Sequence, residues 1–145
     1  MNQNLLDHQL CLEVYKAASS FSKMYADVLK PHGLTFPQYL VLLAIFEQDE
    51  ILTKDVGEKL NMGIGTLNPI INRLIKNGWL IKQQSDKDKR AYLLSLTDKA
   101  NEQKETILLA IKNNMQVCGL VTEETLELLN NLKQINHAFE ALGYK

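Results

Sequence analysis

Cysteine is scarce in this chain: two among 145 residues, Cys11 and Cys118. Two thiols cannot staple a secreted mini-protein, and their usage fits a reducing compartment where a disulfide is transient. Histidine is almost as rare. His8, His32 and His137 show no ligand spacing, so neither a metal site nor a cofactor is expected. No apolar run approaches the ~20 residues of a membrane span. The N-terminus lacks a basic segment followed by an apolar stretch, so no signal peptide is expected, no membrane partner either, and the cytoplasm is the expected location. Nucleophile elbows, phosphate loops and paired carboxylate motifs are missing too, which removes the commonest enzyme classes. Excess basic charge is also lacking. The net charge of −1 excludes a uniformly basic nucleic-acid binder.

What is present is a real core and an uneven charge distribution. Apolar residues make up 46% of the chain and charged residues 23%, as in a folded domain or one subunit of a small oligomer. Between Arg73 and Arg90 stand six basic residues (Arg73, Lys76, Lys82, Lys87, Lys89, Arg90) and two acidic ones (Asp86, Asp88), a local +4. The remainder therefore sums to −5. An acidic body with one basic segment suits a protein that touches phosphates through a single module; a solvated charged hairpin is the alternative.

Hydrophobic periodicity orders the chain. Asn4, with Asp7 three residues on, predicts the cap of a first helix that meets no breaker until Pro31. Cys11, Tyr15, Ala18, Ser22, Tyr25 and Leu29 form one stripe of it, and Val14, Ala17, Phe21, Met24 and Val28 an adjacent one. That face is wider than one neighbouring helix requires. Thr35 caps a largely apolar helix, "FPQYLVLLAIFEQ", with Pro37 in its first turn. "LTKDVGEKLNM" reads as a short third helix capped by Thr53. "GIGTLNPIINRLIKNG" reads as a fourth, with Pro69 early enough to cost little and Gly78 at its end. "WLIKQQSDKDKRAYLLSLT" predicts a β-hairpin with a long charged tip. Thr97 and Asp98 open a polar helix to about Val117, and Thr122 opens a last one to about Leu142.

A short helix, a turn, a second helix and a charged hairpin constitute a winged helix-turn-helix, in a mainly α chain. The second helix of the pair is expected in a DNA major groove and the hairpin tip at a neighbouring minor groove. Residues of about 1–34 and 98–145 are expected to be dimerisation helices, and about 35–97 the DNA-binding region. A homodimer would present two reading helices to a pseudo-palindromic double-stranded site.

These motifs carry a family likeness. "LTFPQYLVLLAIFE", "GTLNPIINRL" and "SDKDKRAYLLSLT" resemble the MarR family of bacterial regulators over roughly Leu10 to Ala100, with the family's wing motif at Asp88-Lys89-Arg90 and its Leu-Thr at Leu96-Thr97. "QLCLEVY" ahead of "LTFPQYL" resembles the organic-hydroperoxide-resistance (OhrR-type) branch. The resemblance implies a dimeric DNA-binding regulator, a repressor in most members, with Cys11 as peroxide sensor and Tyr15 and Tyr25 as its tyrosines. In two-cysteine members a thiol near Cys118 resolves the oxidised sensor as an intersubunit disulfide. Two departures stand out. Phe36 replaces a tyrosine of the branch, and Gly63 and Ile64 replace an acidic and a hydroxyl residue at the start of the reading helix.

Among individual residues, Thr66, Asn68, Asn72 and Arg73 of the reading helix, and Lys87, Asp88, Lys89 and Arg90 of the wing, are the candidate DNA contacts. Ile70, Ile71, Leu74 and Ile75 are expected to pack inward, and Trp79 to anchor the wing. Tyr25 lies fourteen residues from Cys11, ~21 Å along a straight helix at ~1.5 Å per residue, so it can reach only the other subunit's sensing thiol. Three functions stay open on the residues themselves: a repressor released by oxidation of Cys11, one released by a small phenolic ligand with Cys11 a mere core residue, and a thiol peroxidase.

Overall fold

The computed structural model describes residues 5–6 and 9–144. Its central element is α2 (Phe36–Glu47). The Thr35 hydroxyl accepts the Gln38 amide, and the Gln38 side-chain carbonyl accepts the Thr35 N–H, which closes a capping box. Tyr39, Val41, Leu42, Ala44 and Ile45 of α2 are all buried, as its unbroken apolar sequence predicts.

The helix-turn-helix packs on α2. It comprises α3 (Thr53–Leu60) and α4 (Ile64–Lys76). A Cβ on Gly57 would meet the Met62 carbonyl at 3.0 Å, so only glycine lets α3 lie this close to the turn. Asn61, with φ 54°, turns the chain there. On α4, Leu67, Ile71 and Leu74 point into the core, while Ile70 and Ile75 are half-buried at its edge.

Gly78, at φ +82°, then redirects the chain into the sheet. The sheet is antiparallel, in the order β1 (Ile51–Leu52), β3 (Tyr92–Leu96), β2 (Leu80–Gln84). Leu80 pairs with Leu96 and Gln84 with Tyr92, which sets the hairpin register and leaves residues 85–91 as the wing tip. The two-residue β1 has no periodicity to betray it in the sequence; it pairs Ile51 with Leu94. Trp79 is buried as expected, with the Lys99 ammonium 4.5 Å from its ring centre. The Thr97 hydroxyl donates to the Gly78 carbonyl at 2.6 Å and accepts the Ala100 amide. It thus joins the wing base to the N-terminus of α5 (Asp98–Val117).

The long helices behave differently. α1 (Leu10–Leu29) packs through its C-terminal half, where Leu29 is buried and Phe21, Met24, Tyr25 and Val28 are half-buried. Its first half, including Val14 and Tyr15, is open to solvent. α5 inserts Ile107 and Ile111 into the core. α6 (Glu123–Ala141), capped by Thr122 through the Thr125 amide, buries no residue, although Leu126, Leu128, Leu129, Leu132 and Phe139 line it. Among the described residues no helix is long and apolar enough to cross a membrane.

Three sequence expectations need correction. The first helix starts at Leu10 rather than near Leu5, which lies in a turn, and Gln9 at its N-cap makes no side-chain cap bond. The expected cap by Asn4 and Asp7 lies outside the described residues. Thr53 is the first residue of α3 rather than its cap, and its hydroxyl donates to the Tyr92 carbonyl instead, tying α3 to the sheet. Pro69 lies inside α4, more than a turn from its start, where its missing N–H removes a helical bond to Gly65.

Candidate nucleic-acid interface and thiol pair

The exposed side of α4 carries Thr66, Asn72 and Arg73, with Asn68 half-buried beside them. Their neighbours Leu67, Ile71 and Leu74 hold the helix to the core, so the polar side is turned outward by the same periodicity that buries the apolar one. The wing tip presents Lys87, Asp88, Lys89 and Arg90, all exposed. Asp88 differs in role from its basic neighbours. Its carboxylate accepts the Arg90 amide at 3.0 Å and the Arg90 Nε at 3.4 Å, and its carbonyl accepts the Ala91 amide at 2.9 Å. An acidic group gains nothing from phosphate; here it folds the tip and aims the arginine, whose side chain is 92% exposed. Further down the hairpin, the Lys82 ammonium stands 4.6 Å from the Tyr92 ring centre, a pairing the sequence reading did not single out.

The two cysteines are free and exposed. Cys11 Sγ has one weak partner, the Gln9 side-chain oxygen at 3.9 Å. Tyr15, one turn on, is exposed, and among the described residues its hydroxyl makes no bond to Cys11. Cys118 caps the C-terminus of α5, and its Sγ lies 3.8 Å from Met24 Sδ on α1. Met24 neighbours Tyr25, so Cys118 and Tyr25 mark one level of α1. Cys11 stands thirteen residues away on the same unbroken helix, ~20 Å at ~1.5 Å per residue. A disulfide needs Cα atoms within about 7 Å, so Cys11 and Cys118 of one chain cannot bond in this fold. The sequence places Met24 only on an apolar stripe of α1, because nothing in it sets α5 alongside.

Tyr25 sits in an aromatic stack. Its ring centre lies 4.4 Å from that of Phe36, nearly parallel, and 5.6 Å from that of Tyr39. Phe36 therefore keeps the ring while giving up the hydroxyl that the OhrR-type branch has there. Burial raises the Tyr25 pKa. Burial, and secondarily the charge of a neighbouring Tyr25, pushes Tyr39 up to about 12. Both phenols therefore stay protonated, and able to donate, throughout the physiological range.

His137 lies 3.8 Å from Glu140, and His8 lies outside the described residues. Among the described residues no three His, Cys, Asp or Glu side chains gather as metal ligands.

Comparison with known proteins decides the family. Residues 23–107, more than half the chain, match the model of the transcriptional regulators SarA/Rot. The chain belongs to the SarA/Rot family of MarR-like transcriptional regulators. That is a family of regulators and not of enzymes, which sets aside the thiol peroxidase alternative. Over 136 residues the chain is 35% identical to the HTH-type transcriptional regulator TtmR of Methylorubrum extorquens (strain PA1), covering 94% of this chain and 70% of that one. It is 36% identical over 93 residues to the organic hydroperoxide resistance transcriptional regulator of Bacillus subtilis (strain 168), covering 64% and 63% of the two chains. The fold matches reduced AbfR bound to DNA (TM-score 0.80, 31% identity, 92% and 94% coverage), a protein of Staphylococcus epidermidis. Disulfide-formed AbfR matches with TM-score 0.70, 30% identity and 92% coverage of each chain. A MarR protein from Peptoclostridium difficile matches at TM-score 0.82 and 25% identity, over 99% and 95% of the chains. These likenesses bear out the winged helix-turn-helix fold.

Proposed function

We propose that this SarA/Rot-family regulator is a homodimeric DNA-binding repressor released from a pseudo-palindromic operator by oxidation of Cys11. The reading helix α4 contacts bases and phosphates through Thr66, Asn68, Asn72 and Arg73. The wing adds Lys87, Lys89 and Arg90 at phosphates and the minor groove, with Asp88 holding Arg90 in place. Residues of about 35–97 form the DNA-binding region, and about 1–34 and 98–145 the dimerisation helices. The DNA-bound and disulfide states of AbfR support both halves of this reading.

One observation carries the redox part: Cys118 touches Met24, next to Tyr25, at a level of α1 that its own Cys11 cannot approach. Where two α1 helices pair antiparallel, the partner's Cys11 arrives at the level of both Tyr25 and Cys118. An organic hydroperoxide then oxidises the Cys11 thiolate to sulfenic acid and leaves as the alcohol. The partner's Cys118 thiol attacks that sulfur, forming a disulfide and releasing water. The bond ties α1 of one subunit to α5 of the other and alters the spacing of the reading helices, which must match half-sites about one DNA turn (~34–36 Å) apart.

The test is operator binding and a non-reducing gel after stoichiometric cumene hydroperoxide, on wild type, Cys11→Ser and Cys118→Ser. A cross-linked dimer and reductant-reversible release in wild type alone are expected. Release of Cys118→Ser on oxidation would leave a one-cysteine mechanism. Equal release of Cys11→Ser would overturn the redox reading and leave Cys11 without a sensing role.

A further inference from the structure

The proposed reading helix begins with an apolar residue that nothing covers. Ile64 is the first residue of α4 and is 64% exposed, whereas Leu67, Ile71 and Leu74 are buried. Its flanking residues are glycines, and a Cβ built on Gly63 or Gly65 would have nothing within 4 Å. Neither flanking position carries a side chain, and Ile64 stands on the rim of an open concavity lined also by Thr53, Lys54 and Leu67. Its spacing of three and seven residues from Leu67 and Ile71 puts it at the end of the apolar stripe of α4, yet unlike them it stays exposed. A β-branched residue is a mediocre helix former, and the N-cap Gly63 offers no side-chain bond.

A lone exposed aliphatic residue needs no explanation; its alignment with two carboxamides does. Ile64, Asn68 and Asn72 are spaced i, i+4, i+8 and form one ridge along α4. The ridge presents methyl groups first and carboxamides after. Thymine alone among the bases offers a methyl group in the major groove, and adenine offers the N6/N7 pair that an asparagine amide matches. A separation of four residues is ~6 Å of helix rise, roughly two base-pair steps.

We infer that Ile64 is a specificity-determining residue, packing on the C5-methyl of one thymine in each half-site, about two base pairs from an adenine read by Asn68. This rests on α4 being the DNA-reading helix.

The test uses the full-length reduced dimer. Duplexes are selected from a random pool by wild type, and each thymine of the selected motif is then replaced singly by deoxyuridine, which removes the methyl group and nothing else. One thymine per half-site should respond with about 3- to 5-fold weaker binding, the worth of one buried methyl. The same replacement should be silent for Ile64→Ala, and Asn68→Ala should lose the adenine preference nearby. Because Ile64 is exposed, unchanged thermal midpoints are expected for the variant, which separates lost contact from lost fold. A selected motif in which no thymine responds, or a methyl effect that persists in Ile64→Ala, would overturn the inference while leaving DNA reading intact. Failure of wild type to select any motif would remove the reading helix itself, and the inference with it.

Discussion

Helices α2 and α6 both carry large apolar side chains, and those side chains have opposite fates: α2 is apolar almost throughout, α6 only along one side of a polar helix. α2 carries Tyr39, Val41, Leu42, Ala44 and Ile45, and every one is buried within the chain. α6 carries Leu126, Leu128, Leu129, Leu132 and Phe139, and every one is exposed. A leucine therefore does not by itself mark a core position. α2 lies where α1, α3, α4 and the sheet converge. α6 leaves the body through the turn at Gly119 and meets nothing comparable. A single subunit with such an uncovered apolar surface calls for a partner, and the bare first half of α1 extends the demand. The core takes in Leu29 of α1 and Ile107 and Ile111 of α5, whereas α6 and the first half of α1 leave their apolar side chains uncovered.

The most severe way to break that contrast is to charge α6. Leu129→Asp with Leu132→Asp places two carboxylates in the proposed interface, and two-fold symmetry doubles the effect. Dimerisation should weaken by at least about 1000-fold, since each buried leucine contributes ~2 kcal/mol. Sedimentation should then show a 16.5 kDa species. The emission of buried Trp79 should stay unchanged, because the body does not depend on α6. A persistent dimer would refute the assignment of α6. Loss of the Trp79 signature would refute the independence of the body.

The converse change goes in the core. Leu74→Ala, at a fully buried position of α4, should cost about 2–5 kcal/mol of unfolding free energy in chemical denaturation. Leu126→Ala on α6, measured with the same Trp79 probe in protein dilute enough to be monomeric, should cost under about 0.5 kcal/mol. Equal costs would mean that α6 shares the body's cooperative unit.

This contrast marks what was legible in the sequence. The body was read nearly whole, since its signals are local: the capping threonine Thr35, the 3.6-residue period of α4, the hairpin around a charged tip. The exposed face of α6 is legible as a run of leucines, but what covers it leaves no local trace. The thiol site divides in the same way. Cys11 and Tyr25 stood out through family likeness and arithmetic along one helix. The contact of Cys118 with Met24 is set by how α5 crosses α1, a tertiary choice with no short-range signature. Asp88 was placed among the DNA contacts because it shares the wing motif, and only its bonds to Arg90 show it holding the tip together.

A smaller effect is expected at that tip, which acts without help from α6. Arg90→Ala should weaken operator binding by about 1–3 kcal/mol and lower the salt slope by about one. Dimerisation should be untouched. Asp88→Ala should lose less, because the arginine survives with its aim relaxed. Unchanged affinity and slope in Arg90→Ala would remove the wing from the interface.

The aromatic stack at the packed end of α1 offers a comparison in pH. Tyr39 has its pKa raised to about 12, so the folded state prefers the protonated phenol. The stability it lends is complete below the ordinary phenol value near 10 and is lost as pH rises from there to about 12. Denaturation midpoints should therefore fall across that window. Tyr39→Phe, which keeps the ring and cannot ionise, should flatten the decline. A decline of the same depth in Tyr39→Phe would place its cause elsewhere.

The subtlest test uses one chemical change at two helix starts. Thr35 accepts the Gln38 amide at the head of α2, and Thr122 accepts the Thr125 amide at the head of α6. Replacing either by alanine leaves an orphan N–H and should cost about 1 kcal/mol. The cost should appear in different observables. Thr35→Ala should lower the global unfolding free energy, because α2 cannot loosen without opening the core around it. Thr122→Ala should leave that quantity nearly alone and speed amide exchange along α6, most of all in dilute, largely monomeric protein. At higher concentration the partner should restore much of the protection, since docking stabilises the helix by mass action. If Thr122→Ala instead lowers global stability as Thr35→Ala does, at every concentration, then α6 is bound to its own body more tightly than its exposed leucines allow, and the division between body and assembly helices fails.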